Sequence, residues 1–225
     1  MQTERLENGH FYHIYNRGID GCNLFREESC YQHFLALYDK YITPVADTYA
    51  WVLMPNHFHF LIRVKEDVVY KFSNSGRSSD VVWFEEHKWE TIETPNLSAH
   101  EVPDSVKIPK PHLHFSHLFN SYSKYYNTRF DRHGNLFERP FKRKMIENEK
   151  YLKHVILYIH NNPVHHEFCS DPVEYPWSSY LTCIALKPTK IKRDAVIGWF
   201  DNEANFKSVH NEKVEIEKIE RLLEL

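Results

Sequence analysis

WVLMPNHFHFLIRV, residues 51–64, is the stretch that decides the fold. Apolar residues on both sides of its Pro-Asn pair predict two strands, 46–54 and 57–65, that are joined by a tight turn and are therefore antiparallel neighbours. Residues two apart project from the same face of a strand, so His57 and His59 point in one direction. Two imidazoles on a rigid strand suit a divalent cation, but the pair is also compatible with two unrelated histidines of a buried strand.

Hydrophobic spacing predicts the rest of the core around this hairpin. The expected elements are a strand at 9–17, a helix at 25–42, a helix at 112–130, a strand at about 141–146 and a helix at 149–162 that Pro163 ends. Strand, helix, strand, strand, followed by a second helix and strand, is the order of a split βαβ unit. The sequence therefore predicts an α/β (α+β) fold of ferredoxin-like type with an antiparallel sheet.

Two segments lie outside this pattern. Residues 66–110 are rich in Ser and Pro and low in periodicity, which predicts an insertion with a short hairpin at 81–92. We expect a domain at 1–180 that carries this insertion, and a helical C-terminal extension at 181–225. The tail has a helical pattern from about 205, which allows docking on the same chain or in a homodimer through its apolar residues Val214, Ile216, Ile219, Leu222 and Leu223.

Composition bounds the class of protein. The 225 residues are 42% hydrophobic and 15% aromatic, which is ample for a core, and no window approaches the ~18 apolar residues of a membrane span. The N-terminus lacks a signal-peptide layout, so we expect a cytosolic protein with no membrane partner. Four cysteines without CxxC spacing argue against a zinc ribbon and favour reduced thiols.

Charge is distributed unevenly along the chain. The formal net charge is −3, yet residues 120–153 hold nine Lys and Arg against four Asp and Glu. Residues 65–113, by contrast, carry six basic and nine acidic side chains. A concentrated basic block is what a polyanion-binding surface needs, although a solvated helix face produces the same pattern.

The helix at 149–162 carries a second pair of polar residues. Tyr158 and Asn162 are four apart and so lie on one helix face. If that face meets the face of His57 and His59, a cation held by the imidazoles and the Asn162 oxygen would polarise a phosphodiester while Tyr158 attacks phosphorus. An isolated tyrosine in a chain with fourteen of them is more simply explained as a core residue.

Several segments together resemble a known family. The segments MPNHFHFLI, SYSKYYNTRF, GNLFERPFKRKMI, YLKHVILYIHNNPV and YPWSSY look like those of the single-tyrosine transposases of the HUH endonuclease superfamily. The resemblance is greatest to the branch associated with repetitive extragenic palindromes. It covers residues 9–64 and 112–180 and leaves the insertion and the tail outside.

The resemblance implies roles for individual residues. It implies that His57, His59 and Asn162 bind Mg²⁺ or Mn²⁺ and that Tyr158 is the nucleophile. The implied reaction is cleavage and rejoining of single-stranded DNA beside a hairpin, through a 5′-phosphotyrosine link. Tyrosines on the earlier helix are rival nucleophiles by type, but they lack an amide one turn on and two of them fall in its apolar stripe: Tyr122, Tyr125 and Tyr126.

The resemblance makes the basic block, residues 120–153, a candidate DNA-binding surface. We therefore expect the protein to associate with the nucleoid. The candidate phosphate contacts of this block are Arg139, Lys142, Arg143, Lys144 and Lys153, with stacking faces offered by Phe137, Phe141 or Trp177. Lys142 or Lys153 is also placed to stabilise a phenolate. The alternatives are a catalytically inactive or domesticated relative that binds hairpin DNA or RNA, and a ferredoxin-like metal-binding regulator.

Overall fold

The computed structural model describes residues 4–66, 68–72, 89–93 and 106–212, and the core is a four-stranded antiparallel sheet with helices on both faces. The strands of this sheet are β1 (Phe11–Arg17), β2 (Ala46–Met54), β3 (His57–Val64) and β7 (Lys142–Ile146). The larger helices are α1 (Glu28–Tyr41), α2 (Pro111–Arg129) and α3 (Glu149–His165). The strand order β2-β3-β1-β7 is that of a ferredoxin-like split βαβ unit, as the sequence predicts.

The sheet register follows from the hairpin. β3 pairs with β2 on one side and with β1 on the other, so it is a central strand. The pairing sets Tyr15 opposite His59 and Arg17 opposite His57. Because side chains alternate along a strand, both histidines share a face with His13 of β1.

Each face of the sheet has its own core. α1 and α2 cover one face, where Phe58 and Phe60 of β3 pack against Phe34, and all three side chains are at most 1% exposed. α3 covers the other face, on which Val155 and Ile159 are fully buried. The histidines of β3 therefore face α3.

The predicted first helix begins later than expected. Residues 25–27 are not helical, since Glu27, directly before α1, has an extended backbone with φ −151° and ψ 163°. The backbone N–H groups of Leu24 and Phe25 donate to the Pro55 carbonyl, at 2.7 and 2.9 Å. These two bonds tie the loop before α1 to the β2–β3 turn. The loop thereby becomes part of the rim of the site described below.

The prediction that Pro163 ends the third helix is wrong. The α3 helix continues through Pro163 to His165, and the N–H of His166 still donates to the Asn162 carbonyl at 3.0 Å. A proline removes one N–H, and in the last turn of a helix that loss is tolerated where the following residues keep their own bonds. The Asn148 side chain caps the other end by accepting from the Tyr151 N–H at 2.9 Å.

Three short helices follow in the C-terminal extension, α4 (Tyr180–Ile184), α5 (Arg193–Trp199) and α6 (Glu203–Asn211). Val196 and Phe206 anchor the last two in the α3-side core. The expected helix from 205 to 225 is not continuous, because α6 ends at Asn211 and Glu212 has an extended backbone. The apolar residues of the predicted tail, from Val214 onward, lie outside the described residues.

The insertion contains a second sheet of three short strands, β4 (Val68–Phe72), β5 (Trp89–Glu93) and β6 (Val106–Lys107), in the order β5-β4-β6. Of the predicted hairpin at 81–92, residues 81–88 lie outside the described residues, and the remainder belongs to β5, which pairs with β4. No helix in the described part of the chain is long and apolar enough to cross a bilayer.

Candidate active site

The α3 helix brings its polar pair against the histidines of β3. The Oδ1 atom of Asn162 lies 3.0 Å from Nε2 of His57. The Tyr158 ring meets the His59 ring edge to face, with centroids 5.1 Å apart. Asn162, Tyr158 and His59 are all at most 4% exposed. The four residues that the sequence singled out for chemistry therefore converge on one site.

His57, His59 and Tyr158 line a cavity of about 670 Å³, here called the tyrosine cavity, and Asn162 is fully buried behind His57. The cavity opens between the C-terminal half of α3 and the ends of β1 and β3 that carry Arg17 and His57. Lys142 of β7 also lines it, and Arg17 forms an ion pair with Glu138 at its edge. The site thus combines imidazoles, an amide, a phenol and cationic groups in a space that can admit a phosphodiester.

His57 has an oxygen next to each ring nitrogen. Its Nδ1 lies 2.7 Å from Oδ1 of Asn56, and its Nε2 lies 3.0 Å from Oδ1 of Asn162. Burial lowers the pKa of His57 to about 4, so the neutral ring carries one hydrogen and can donate to only one of the two oxygens. If Nδ1 donates to Asn56, the Nε2 lone pair faces the Asn162 oxygen.

A cation between two such lone pairs would remove their repulsion. The residues therefore fit a divalent ion, with two imidazole nitrogens and an amide oxygen as donors. Among the described residues no three His, Cys, Asp or Glu side chains form a metal-binding group, so the candidate set depends on the amide of Asn162. The Nδ2 atom of that amide is buried without a hydrogen-bond partner in the described part of the chain.

His13 is a site residue that the sequence analysis missed. It is fully buried beside His59, and its Nε2 lies 3.0 Å from Nδ1 of His59. Burial lowers its pKa to about 3 and lowers that of His59 well below the ordinary value. The available signal was the alternation of His13 and Tyr15 in GHFYHIYNR, but it acquires meaning only through the pairing of β1 with β3.

The candidate DNA-binding residues separate into distinct locations. Lys142 and Lys144 share the α3 face of β7, since they stand opposite Tyr15 and His13 of β1. Arg143 points to the α2 side, where it and Arg139 line a second cavity of about 590 Å³, here called the arginine groove. Lys153 forms an ion pair with Glu149 at 2.8 Å and does not line the tyrosine cavity.

Similarity to known proteins is limited to the fold. No family model and no curated protein matches the chain. One solved structure, a REP-associated tyrosine transposase bound to a REP hairpin, matches with a TM-score of 0.53 over 84% of this chain and 88% of that one. The two chains share this fold. At 14% identity the match is a distant fold relationship, which bears on architecture alone.

Two of the rival tyrosines have structural roles in this fold. Tyr122 and Tyr126 lie on α2, on the opposite side of the sheet from the histidines, and both are fully buried. Their hydroxyls donate to the carbonyls of Leu24 and Asn23, each at 2.6 Å. Burial raises the pKa of both phenols. They hold the loop before α1 in place.

Proposed function

We propose that this protein cleaves and rejoins single-stranded DNA beside a hairpin, as a transposase-like enzyme with Tyr158 as its nucleophile. The observation that carries the proposal is the approach of Tyr158 and Asn162 to His59 and His57 across the α3–sheet interface, with a ring separation of 5.1 Å and an N···O distance of 3.0 Å. The fold shared with a hairpin-bound transposase supports the choice of DNA as substrate.

His57, His59 and Asn162 would hold Mg²⁺ or Mn²⁺, and the ion would supply charge stabilisation to the phosphodiester oxygens. The burial that lowers the pKa of both histidines keeps their lone pairs available for a metal at neutral pH. The Asn162 amide can serve two states. With its oxygen toward His57, Asn162 would be a ligand of the ion, and after rotation of the amide its Nδ2 would donate to Nε2 of His57.

In the proposed reaction one phosphorus–oxygen bond forms as another breaks, and each proton has a donor and an acceptor. The Tyr158 oxygen attacks phosphorus, the bond from phosphorus to the 3′ oxygen breaks, and a 5′-phosphotyrosine and a 3′ hydroxyl result. The phenol proton leaves to solvent through the cavity mouth, and the departing 3′ oxygen takes a proton from solvent. Lys142 lines the same cavity, and its positive charge favours the phenolate. Rejoining reverses these steps with a 3′ hydroxyl as nucleophile.

The test is incubation of the purified chain with labelled hairpin oligonucleotides that carry single-stranded flanks, in the presence of Mn²⁺. A covalent protein–DNA band on a denaturing gel is expected for the natural chain and for Tyr125→Phe, and no band for Tyr158→Phe. The same band should disappear in excess chelator.

Other outcomes have definite meanings. Retarded but uncleaved DNA in the natural chain would replace the enzyme with a protein that binds hairpins without turnover. A covalent band that persists in Tyr158→Phe and is lost in Tyr125→Phe would move the nucleophile to α2. A band that forms in chelator would remove the metal from the proposal.

A further inference from the structure

A third cavity, of about 840 Å³, adjoins the tyrosine cavity and is here called the aromatic cavity. The two cavities share Asn23 and Pro55 in their walls. This shared wall is fixed, since the Pro55 carbonyl accepts from two N–H groups of the loop before α1 and the Asn23 carbonyl accepts from Tyr126. A strand with a phosphate in the tyrosine cavity can therefore place its neighbouring nucleotide in the aromatic one.

Three aromatic rings form a continuous stack along this cavity. Phe25 and Tyr31 are 4.7 Å apart between centroids with 25° between planes, and Tyr31 and Trp177 are 4.5 Å apart with 15° between planes. Phe25 and Tyr31 are buried, whereas Trp177 is partly exposed at the end of the stack. Near-parallel rings at this spacing are the arrangement in which nucleobases stack on aromatic side chains.

Backbone hydrogen bonds hold Trp177 in position before any ligand arrives. The Trp177 carbonyl accepts from the Leu53 N–H at 2.9 Å, and the Ser179 N–H donates to the Trp51 carbonyl at 2.9 Å. The Tyr175 hydroxyl donates to the Leu53 carbonyl at 2.8 Å. The segment that carries the tryptophan is thus attached along the edge of β2, so little ordering is needed on binding.

The polar groups of the aromatic cavity suit the edge of a base. Arg26, Glu27 and Glu28 line it, and the guanidinium of Arg26 lies over the Phe130 ring at 4.9 Å. Glu27 forms an ion pair with Arg129, and Glu28 accepts from Gln32 at 2.8 Å, so both carboxylates are held in place. Carboxylate oxygens accept hydrogen bonds from the N–H groups of base edges. In the tyrosine cavity Lys142 adds a positive charge to the Arg17–Glu138 ion pair, so that cavity is better suited to the phosphate of the same nucleotide.

We propose that the aromatic cavity binds one unpaired nucleobase beside the cleaved phosphate, with Trp177 as its stacking surface and the glutamates as readers of its edge. This inference rests on the proposed function, since it assumes a DNA strand in the tyrosine cavity. It assigns to this cavity the selection of the sequence at the cleavage site.

The experiment uses the full chain with Tyr158→Phe, which binds DNA without cutting it, and hairpin oligonucleotides with one abasic nucleotide at each flanking position in turn. At one position the abasic nucleotide should weaken binding about 5- to 150-fold, the range expected for one stacked base. Adding Trp177→Ala should weaken binding of the intact oligonucleotide by a similar factor. An abasic nucleotide at the sensitive position should then cause no further loss of affinity. Adding Trp177→Phe should preserve the position dependence.

Trp199→Ala is the matched control, because Trp199 is also partly buried but packs on Phe11 and Tyr49, away from all three cavities. It should leave every abasic position as in the parent. Hairpin binding without coupling between Trp177 and any position would overturn this inference and leave the proposed function standing. Absence of hairpin binding in the parent would overturn both.

A second measurement needs no variant of Trp177. Oligonucleotides carrying 5-iodouracil at successive flanking positions are irradiated with the Tyr158→Phe chain, and the crosslinked residue is identified by mass spectrometry. A crosslink to Trp177 or Tyr31 from one position is expected. Crosslinks that spread over the surface with none in the aromatic cavity would contradict the proposal even if Trp177→Ala does not fold.

Discussion

At the scale of single residues, His13 controls how His59 can be used. The two rings share one hydrogen bond of 3.0 Å, and each neutral ring carries a single hydrogen. For His59 to offer its Nε2 lone pair to a cation, its hydrogen must be on Nδ1 and must be donated to His13. We therefore regard His13 as a positioning residue for the proposed metal site.

Replacing His13 by Phe keeps a ring in place but removes the acceptor for His59. We expect the affinity for Mn²⁺, measured by electron paramagnetic resonance, to fall about 10- to 100-fold, which is typical for loss of a partner behind a metal ligand. His210→Phe is the control, since it removes one member of another buried histidine pair, 2.9 Å from His160 and outside the tyrosine cavity. Unchanged Mn²⁺ affinity in His13→Phe would show that His59 is oriented by something else.

At the scale of elements, the alternation of β7 gives neighbouring basic residues different tasks. Lys142 faces the tyrosine cavity, Arg143 faces α2, and Lys153 on α3 is paired with Glu149. We expect Lys142→Gln to slow formation of the covalent DNA adduct about 10-fold or more, because it removes a positive charge from the cavity that Tyr158 lines. Lys153→Gln removes the same charge outside the cavity and should change the rate less than about 2-fold. Equal rates for the two variants would remove Lys142 from the chemistry.

A helix or strand could be predicted from the sequence where its hydrophobic residues follow a single helical or strand period. The β2–β3 hairpin, the α2 stripe and the face shared by Tyr158 and Asn162 follow from spacing within one element, and the structure has all three. The end of α3 was not predictable from Pro163 alone, since tertiary packing and later N–H groups sustain the last turn. His13 lies beside His59 only because β1 pairs with β3, and the spacing of residues within β1 does not show which strand it pairs with.

At the scale of the whole molecule, three adjoining cavities form one track, from the arginine groove on the α2 side, through the tyrosine cavity on the α3 side, to the aromatic cavity beside the loop before α1. The arginine groove shares Asn16 and Glu138 with the tyrosine cavity, which in turn shares Asn23 and Pro55 with the aromatic cavity. Arg139 and Arg143 line the first cavity and Arg17 and Lys142 the second, with Glu138 shared between them, whereas aromatic rings, Arg26 and two glutamates line the third. This order explains how a chain with a net charge of −3 can present a surface suited to DNA.

Packing of α6 against α3 should depend on pH. His210 of α6 is buried among the rings of Phe206, Phe200 and Tyr180, with His160 at 2.9 Å, and burial lowers its pKa to about 4 from an ordinary 6.5. Between these values the unfolded chain binds a proton that the folded chain does not. Stability contributed by the neutral ring is therefore complete above pH 6.5 and is lost as the pH falls toward 4.

Urea denaturation of the natural chain at pH 7.5, 6.5, 5.5 and 4.5 tests this expectation. The unfolding free energy should decrease below pH 6.5, and His210 contributes at most about 1.4 kcal/mol per pH unit to that slope. His210→Gln should lower stability at pH 7.5 because it removes the imidazole next to Nδ1 of His160 and leaves that ring only the Ser179 hydroxyl, 2.7 Å from its Nε2. The unfolding free energy of His210→Gln should nevertheless depend less on pH, by the contribution of one proton. Asp171 is the acidic group whose charge acts on His210, and Asp171→Asn should steepen the slope, since that charge raises the histidine pKa. Identical slopes in the natural chain and His210→Gln would mean that this histidine is already accessible to protons in the folded state.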